Sequence, residues 1–323
     1  MDEFDYIGKY FAPLTAGYPG AHGLADDTAE ITPPHGRAVI VSVDTLVAGV
    51  HFFHHAPPDQ IAQKALRVNL SDMAAAGASP FAYTLALSLG AANRQEDWIA
   101  SFAHGLQADQ DEFGLHLVGG DTTSTPGPLS ISLTIFGEAG ENGVLGRRGA
   151  QDGDGIWITG TIGDAALALL TADGKVDADQ QDQHYLNRRL INPTPRVQFG
   201  IGMPGLATAA IDISDGLAAD LGHICQQSSL GAEVMLDRIP LSPSAAKLAN
   251  YHPELLETVV TGGDDYELLF TAPTEKEKDI ISAGERTATP VAKIGEMTAI
   301  GAPKFLDGNG ESVQFKQPGF RHL

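Results

Sequence analysis

Residues 39–52, VIVSVDTLVAGVHF, constrain the fold more than any other stretch of the chain. Val39, Ile40, Val41 and Val43 are β-branched, as in a strand that is at least half buried, and the polar pair Asp44-Thr45 marks where that strand leaves its sheet. A glycine turn at Gly49 then delivers His51. The same placement of a carboxylate at the end of an element, beside Gly, Ser or Thr, recurs at Asp26-Asp27, Asp72, Asp121 and Asp212 to Asp215. Each one alone is an ordinary turn residue. Five along one chain point to a shared centre for metal ions and phosphate.

Composition sets the chemical limits of such a centre. At 323 residues, 43% hydrophobic and 19% charged, the chain is long enough for two globular domains with full cores. Its 20 Lys+Arg stand against 41 Asp+Glu, a formal charge of -21, which disfavours nucleic-acid binding through a basic face. An anionic ligand on this surface needs bridging cations. The single cysteine, Cys225, excludes an intrachain disulfide framework and any Cys-rich metal site; it reads as a small core residue and suits a reducing compartment. The acidic start MDEFDYIGKYF has no cationic leader pattern, and every apolar run falls short of the roughly 18 residues that a membrane span requires. The expected location is cytoplasmic, with no membrane partner.

Taken in order, Phe4, Ile7, Phe11 and Leu14 keep helical spacing, and the strand to Asp44 follows a loop containing Asp26-Asp27. DQIAQKALRVNLSDMAAAGASP reads as a helix capped by Asp59 and closed by Gly77, with Asn69, Asp72 and Ala76 on one side. Phe81 to Leu89 alternates large and small residues as a strand, both of whose faces can be covered, one of them by a second subunit. Trp98, Ile99, Phe102 and Leu106 mark another helix, and HLVGGDTTSTPGP reads as a short strand running into a glycine turn that ends on Asp121. Residues 129–138 alternate again as a strand. The glycine- and charge-rich stretch GEAGENGVLGRRGAQDGDG is the expected junction between domains 1–148 and 149–323.

The second half reads as α/β. A strand at Gly155 to Thr159 precedes a helix from Gly163, and Pro193 and Pro195 break the chain before another helix. FGIGMPG matches GxGxxG only formally, because it follows a helix rather than a strand. In AIDISDGLAADLGHI, Ile211 and Ile213 face inward, Asp212 and Ser214 face the other side, and Asp215-Gly216 opens a helix, with Asp215 as its N-cap the alternative reading. TGGDDYELLFT places Asp264 and Asp265 in an exposed Gly-Gly turn. Short β segments at Val291 to Gly295 and Phe315 end the fold.

Together DDTAEI, SVDTLVAGVHF, ALRVNLSDMAAAGASP, GGDTT, AIDISDGLAADLGHI and GGDDYELLFT resemble the thiamine-monophosphate kinase family, in the aminoimidazole-ribonucleotide-synthetase-like superfamily. The matches run in order from about residue 22 to residue 270, with a weaker echo at Gly319-Phe320. The resemblance implies a two-domain α/β (α+β) synthetase-like fold. Its N-terminal domain binds ATP and Mg2+ and pairs its sheet across a homodimer into a β-barrel; its C-terminal α/β domain completes the nucleotide and substrate cleft. It implies direct in-line transfer from ATP to thiamine monophosphate, giving thiamine diphosphate, assisted by several Mg2+ ions. Carried over by position, the metal ligands are Asp27, Ser42, Val43 through its backbone, Asp44, Asp72, Asp121, Asp212 and Asp215. Gly120, Asp121, Arg147 and Ser214 contact ATP, and His51, Asp264 and Phe320 contact thiamine monophosphate. Ala25, Asp264 and Phe320 depart from the glycine, glutamate and tyrosine or tryptophan common at those positions in the family.

The residues themselves agree with that chemistry. Magnesium is held by a few carboxylates together with phosphate oxygens, so scattered aspartates suit several ions along a triphosphate. The attacking phosphate oxygen is already anionic near pH 7, so no residue is expected to act as general base. Two alternatives remain open at this level: another ATP-dependent member of the superfamily, such as an aminoimidazole ribonucleotide synthetase-like enzyme, and a non-catalytic nucleotide or divalent-cation binding module.

Overall fold

The computed structural model describes residues 3–26, 28–316 and 319. Asp27 and Phe320, both expected ligand residues, lie outside the described residues. The chain forms two compact units, residues 1–73 with 78–139, and residues 74–77 with 140–323. The change at Ala139-Gly140 falls at the start of the glycine-rich stretch.

Unit 1 opens with helix α1 (Glu3–Tyr6), which continues as a π-helical segment Ile7–Phe11 and a 3-10 segment Ala12–Thr15. The helical spacing of Phe11 and Leu14 thus buries both residues, although three helical geometries share the segment. Strand β1 (Val39–Val47), helix α2 (Pro58–Ala76), strand β2 (Ser79–Leu89), helix α3 (Glu96–Phe113), and strands β3 (His116–Ser124) and β4 (Ser130–Glu138) follow. The sheet order is β1-β4-β2-β3, with only β2 and β3 parallel.

Three sequence readings change here. Asp44 does not end its strand: β1 runs on to Val47, paired with Ser130, because β4 offers a full-length partner. Nor is 119–121 a turn. Gly119, Gly120 and Asp121 lie inside β3, opposite Thr84, Leu85 and Ala86; a Cβ on Gly120 would sit 2.0 Å from the Leu85 carbonyl oxygen, so glycine here serves close strand approach. And α2 begins at Pro58, which puts Asp59 inside the first turn rather than at the cap, where its charge still complements the helix dipole.

The period-two pattern separates the two faces of this sheet. Tyr83, Leu85 and Leu87 of β2 and Ile131, Leu133 and Ile135 of β4 are buried on the helix side. There Tyr83 Oη donates to Gln110 Oε1 of α3 at 2.8 Å. Arg67 of α2 forks onto Asp109 of α3 through Nε and Nη2 at 2.9 and 2.8 Å, a buried pair whose two parallel hydrogen bonds fix the helices against each other. On the other face Val41 is 55% and Val43 61% exposed, and Ala86 is exposed too.

Unit 2 contains strand β5 (Gly155–Thr159), helices α4 (Asp164–Ala172), α5 (Gln180–Ile191) and α6 (Val197–Ile201), strand β6 (Ala209–Asp212), helix α7 (Leu217–Ser228) and strand β7 (Gly231–Met235). Helices α8 (Pro243–Tyr251) and α9 (Leu255–Thr261), strand β8 (Leu268–Ala272), helix α10 (Glu277–Arg286) and strands β9 (Val291–Thr298), β10 (Pro303–Leu306) and β11 (Ser312–Val313) complete it. Its sheet runs β11-β10-β7-β9-β5-β8-β6, antiparallel except for β7 with β10. The central strands β5 and β8 are buried throughout; Trp157 stacks on Phe270 between them, and Phe199 of α6 tilts against the same Phe270 ring. Phe315 lies outside any strand and instead packs edge-on against Phe305 at 5.1 Å. Cys225 is buried, and burial pushes its thiol up to about 11, so it is an inert core residue.

Candidate functional site

In unit 1 the alternation of β1 turns Ser42 and Asp44 toward α2, one turn before whose end Asp72 projects. Ser42 Oγ donates to Asp72 Oδ2 at 2.5 Å. Asp44 also shares a hydrogen bond with Asp72, and its carboxyl is raised to about 7, first by burial and then by the Asp72 charge. Two carboxyl groups and a hydroxyl therefore meet at one point, with a proton doing the work of charge neutralisation. Val43, between them, sends its side chain to the open face.

Asp121 is not part of this cluster within one chain. The ladder aligns Asp44 with Leu133, Leu85 and Gly120, and Thr45 with Ser132, Ala86 and Asp121. Asp121 is thus on the opposite face and at the opposite edge of the sheet. It borders a cavity of about 650 Å³, together with Gly120, Asp26 and Thr122, whose apolar wall includes Phe4, Ile7, Phe11 and Phe136. His51 is held in a tight turn after β1: its amide and that of Val50 donate to the Val47 carbonyl at 3.0 and 3.1 Å.

In unit 2 Asp212 is buried at the end of β6, and the following loop exposes Ser214 and half-buries Asp215. The N-cap of α7 is Gly216, without a side-chain cap, so Asp215 is not the cap residue. Asp220 takes that role from inside the helix. Its buried Oδ2 accepts from the amides of Ser214, Asp215 and Gly216, each at 3.1 Å, and burial followed by the Asp215 charge raises its carboxyl to about 7. Asp215, Asp220 and His223 each bring a ligand atom within 4.8 Å of the others.

The Asp264 loop is zipped onto the same segment. The amides of Asp264 and Tyr266 donate to the carbonyls of Ser214 and Ile213 at 2.9 and 2.8 Å. Asp264 and Tyr266 both have positive φ, +72° and +51°, a conformation that L-residues adopt at a cost and keep only where surroundings enforce it. The enforcement comes from below. Asp265, expected in an exposed turn, is 2% exposed and accepts from the Gly163 amide at 2.8 Å; burial holds its carboxyl well above the ordinary range. Glu267 accepts from Thr159, Arg189 and Arg196 at 2.6 to 2.8 Å. Arg147, by contrast, is exposed, with its carbonyl at the far end of α7, where Ser228 donates to it at 3.4 Å.

The structure therefore gathers Ser42, Asp44 and Asp72 in unit 1, and Ser214 and Asp264 along one pair of loops in unit 2. Asp220, Lys64 and Asn69 were not singled out as functional. Lys64 is buried and donates to the His51 carbonyl, and Asn69 is buried with its Oδ1 lacking a hydrogen-bond partner among the described residues. The available signal was a lysine spaced three and four residues from Ile61 and Val68, and an asparagine spaced three and four residues from Leu66 and Ala65 on the side that also carries Asp72.

Two family profiles match the chain: AIR synthase related protein, N-terminal domain, over residues 25–139, and AIR synthase related protein, C-terminal domain, over residues 151–306. Thiamine-monophosphate kinase of Salmonella typhimurium is 39% identical over 324 aligned residues, covering 99% of this chain and 98% of that protein. The crystal structure of thiamine-monophosphate kinase from Stenotrophomonas maltophilia superposes with a TM-score of 0.81 at 40% identity, covering 90% of this chain and 91% of that one. A second solved structure, described as AaThiL complexed with AMPPCP and TMP, gives 0.78 at 27% identity, covering 92% and 91%. The likeness extends through both units and over almost the whole length of each relative, and on that ground the chain belongs to the thiamine-monophosphate kinase family.

Proposed function

We propose that this protein transfers the γ-phosphoryl group of ATP to the phosphate of thiamine monophosphate, releasing thiamine diphosphate and ADP. The observation that carries the proposal is the match to thiamine-monophosphate kinases over 99% of the chain. The donor set at Asp44, Asp72 and Ser42 fits magnesium. All its atoms are hard oxygens, and two carboxyl groups forced together around one proton gain when a dication replaces that proton. Asp27, Asp121, Asp212, Asp215 and the Val43 backbone complete the proposed ligand set for several ions. Bound Mg2+ supplies the positive charge that a chain of net charge -21 lacks around a triphosphate.

The chain's own groups then position and exclude. Gly120 and Asp121, which line the cavity of about 650 Å³, are assigned to ATP, along with Arg147 and Ser214. His51, Asp264 and Phe320 are assigned to thiamine monophosphate. The nucleophile is a substrate phosphate oxygen in line with the leaving ADP, anionic without help, so the protein provides no general base. We assign the exposed Val39, Val41 and Val43 face to a second copy of the chain, which would close the sheet into a barrel.

A coupled ADP-release assay with no acceptor, thiamine or thiamine monophosphate tests the substrate. ADP release is expected only with thiamine monophosphate and Mg2+ present together. Equal release without thiamine monophosphate overturns the assignment.

A further inference from the structure

We propose that the turn after β1 locks His51 as a neutral imidazole carrying its proton on Nε2, and that Lys64 is the positioning residue that keeps it so. At the end of β1 the His51 ring folds back, and the Val47 backbone amide meets Nδ1 at 3.0 Å. A backbone N–H only donates, so Nδ1 is the acceptor and carries no proton. A neutral ring then has its proton on Nε2. Protonating Nδ1 would set two N–H groups against each other and break this bond.

The lock is anchored to α2. Lys64 is 2% exposed, and its Nζ donates to the His51 carbonyl at 2.9 Å. The remaining bonds of the turn agree with one fixed conformation: Val50 and His51 amides to the Val47 carbonyl, and the Gly49 amide to the Phe52 carbonyl at 2.8 Å. Gly49 has φ +82°, and a Cβ there would lie 2.5 Å from the His54 ring, so the turn is closed from its other side as well. The helix that holds Asp72 against Asp44 thus also fixes His51.

The chemical consequence is one-directional. His51 offers its ligand a single N–H donor and no basic nitrogen. It binds a lone-pair acceptor, either a phosphate oxygen or a ring nitrogen of the acceptor substrate, and it takes up no proton during transfer. This step rests on the proposed contact between His51 and thiamine monophosphate.

Two measurements on the full chain separate the lock from that contact. Nitrogen-15 NMR of the ligand-free protein should show His51 with a protonated Nε2 and a bare Nδ1; a proton on Nδ1 overturns the proposal whatever the substrate is. Equilibrium binding of Lys64→Met should weaken thiamine monophosphate about tenfold while AMPPCP stays within about twofold, with partial recovery in Lys64→Arg, since the variant removes the donor to the His51 carbonyl and Lys64 is not among the residues assigned to ATP. Equal losses for both ligands, or none for either, overturn the role of Lys64. If the wild type binds no thiamine monophosphate the substrate assignment fails, and the NMR result still decides the lock. Weakened binding of thiamine itself in His51→Phe identifies a ring nitrogen as the acceptor; weakening confined to the monophosphate identifies the phosphate.

Discussion

Burial raises the Asp44 carboxyl from its ordinary 3.8 to about 7, and the Asp72 charge beside it adds to that shift. Between those two values the folded metal-free protein holds a proton that the unfolded chain has already released. Stability from this group is therefore fully present at low pH and declines as pH rises through the window from about 4 to about 7. A bound dication reverses the sign, because it takes the place of the proton. Thermal unfolding with and without Mg2+ should then show a small metal-induced rise at pH 5 and a larger one at pH 8, with proton release on binding between them. Asp44→Asn should flatten that dependence, raise metal-free stability at pH 8, and reduce turnover by about a hundredfold or more, as expected when a charge-stabilising group is lost. A metal-induced shift that does not change with pH would refute the shared-proton account.

At the scale of the element, residues 262–267 show how a strained segment is kept. The two positive-φ residues sit above Glu267, which is fully buried and satisfies two arginines and a threonine. Glu267→Ala would leave Arg189 and Arg196 without that partner. Removal of one side of a buried ion pair costs about 3–5 kcal/mol, so chemical denaturation should show a loss of that order, and thiamine monophosphate binding should weaken beyond it as Asp264 shifts. A loss under about 1 kcal/mol would show that water enters and replaces the carboxylate. The same segment marks what the sequence concealed. Gly262-Gly263 announced a turn and Leu268 to Phe270 a buried strand; the strand is present, whereas the glycines begin an extended connection from α9 to β8 instead of a turn. The burial of Asp265 and Glu267 was hidden, because their partners Gly163, Arg189 and Arg196 lie 71 to 102 positions away. Periodicity revealed the strands and helices; it could not show that Gly119-Gly120 lie within a strand rather than in a turn, nor that Asp220 rather than Asp215 secures the start of α7. Those outcomes depend on which backbone comes alongside, a property of tertiary packing.

For the whole molecule, the order β1-β4-β2-β3 sets a limit on any site built from Asp44 and Asp121. Three strand spacings of about 4.8 Å separate their strands, about 14 Å, and the side chains leave opposite faces. One metal ion with ligand distances of about 2.1 Å is far too small to join them within a single copy. A second copy whose β3 edge comes alongside the first copy's β1 would cut that separation to one strand spacing of about 4.8 Å and cover the exposed Val41 and Val43 at the same time, the two carboxylates, still on opposite faces, then serving different ions of one site. Each site would then take Asp44 and Asp72 from one copy and Asp121 from the other. Mixing tests this directly. Asp44→Asn and Asp121→Asn proteins, each inactive alone, should regain activity after subunit exchange, because a mixed dimer carries one site with both substitutions and one with neither. With random exchange half of the dimers are mixed, so recovery should approach about a quarter of wild-type turnover. Asp44→Asn mixed with Asp72→Asn should recover nothing, since those residues serve one site from one chain and every site keeps a defect. Recovery in the second mixture but not the first would invert the assignment and place Asp121 with Asp44 in the same copy, through a rearrangement of the sheet edge.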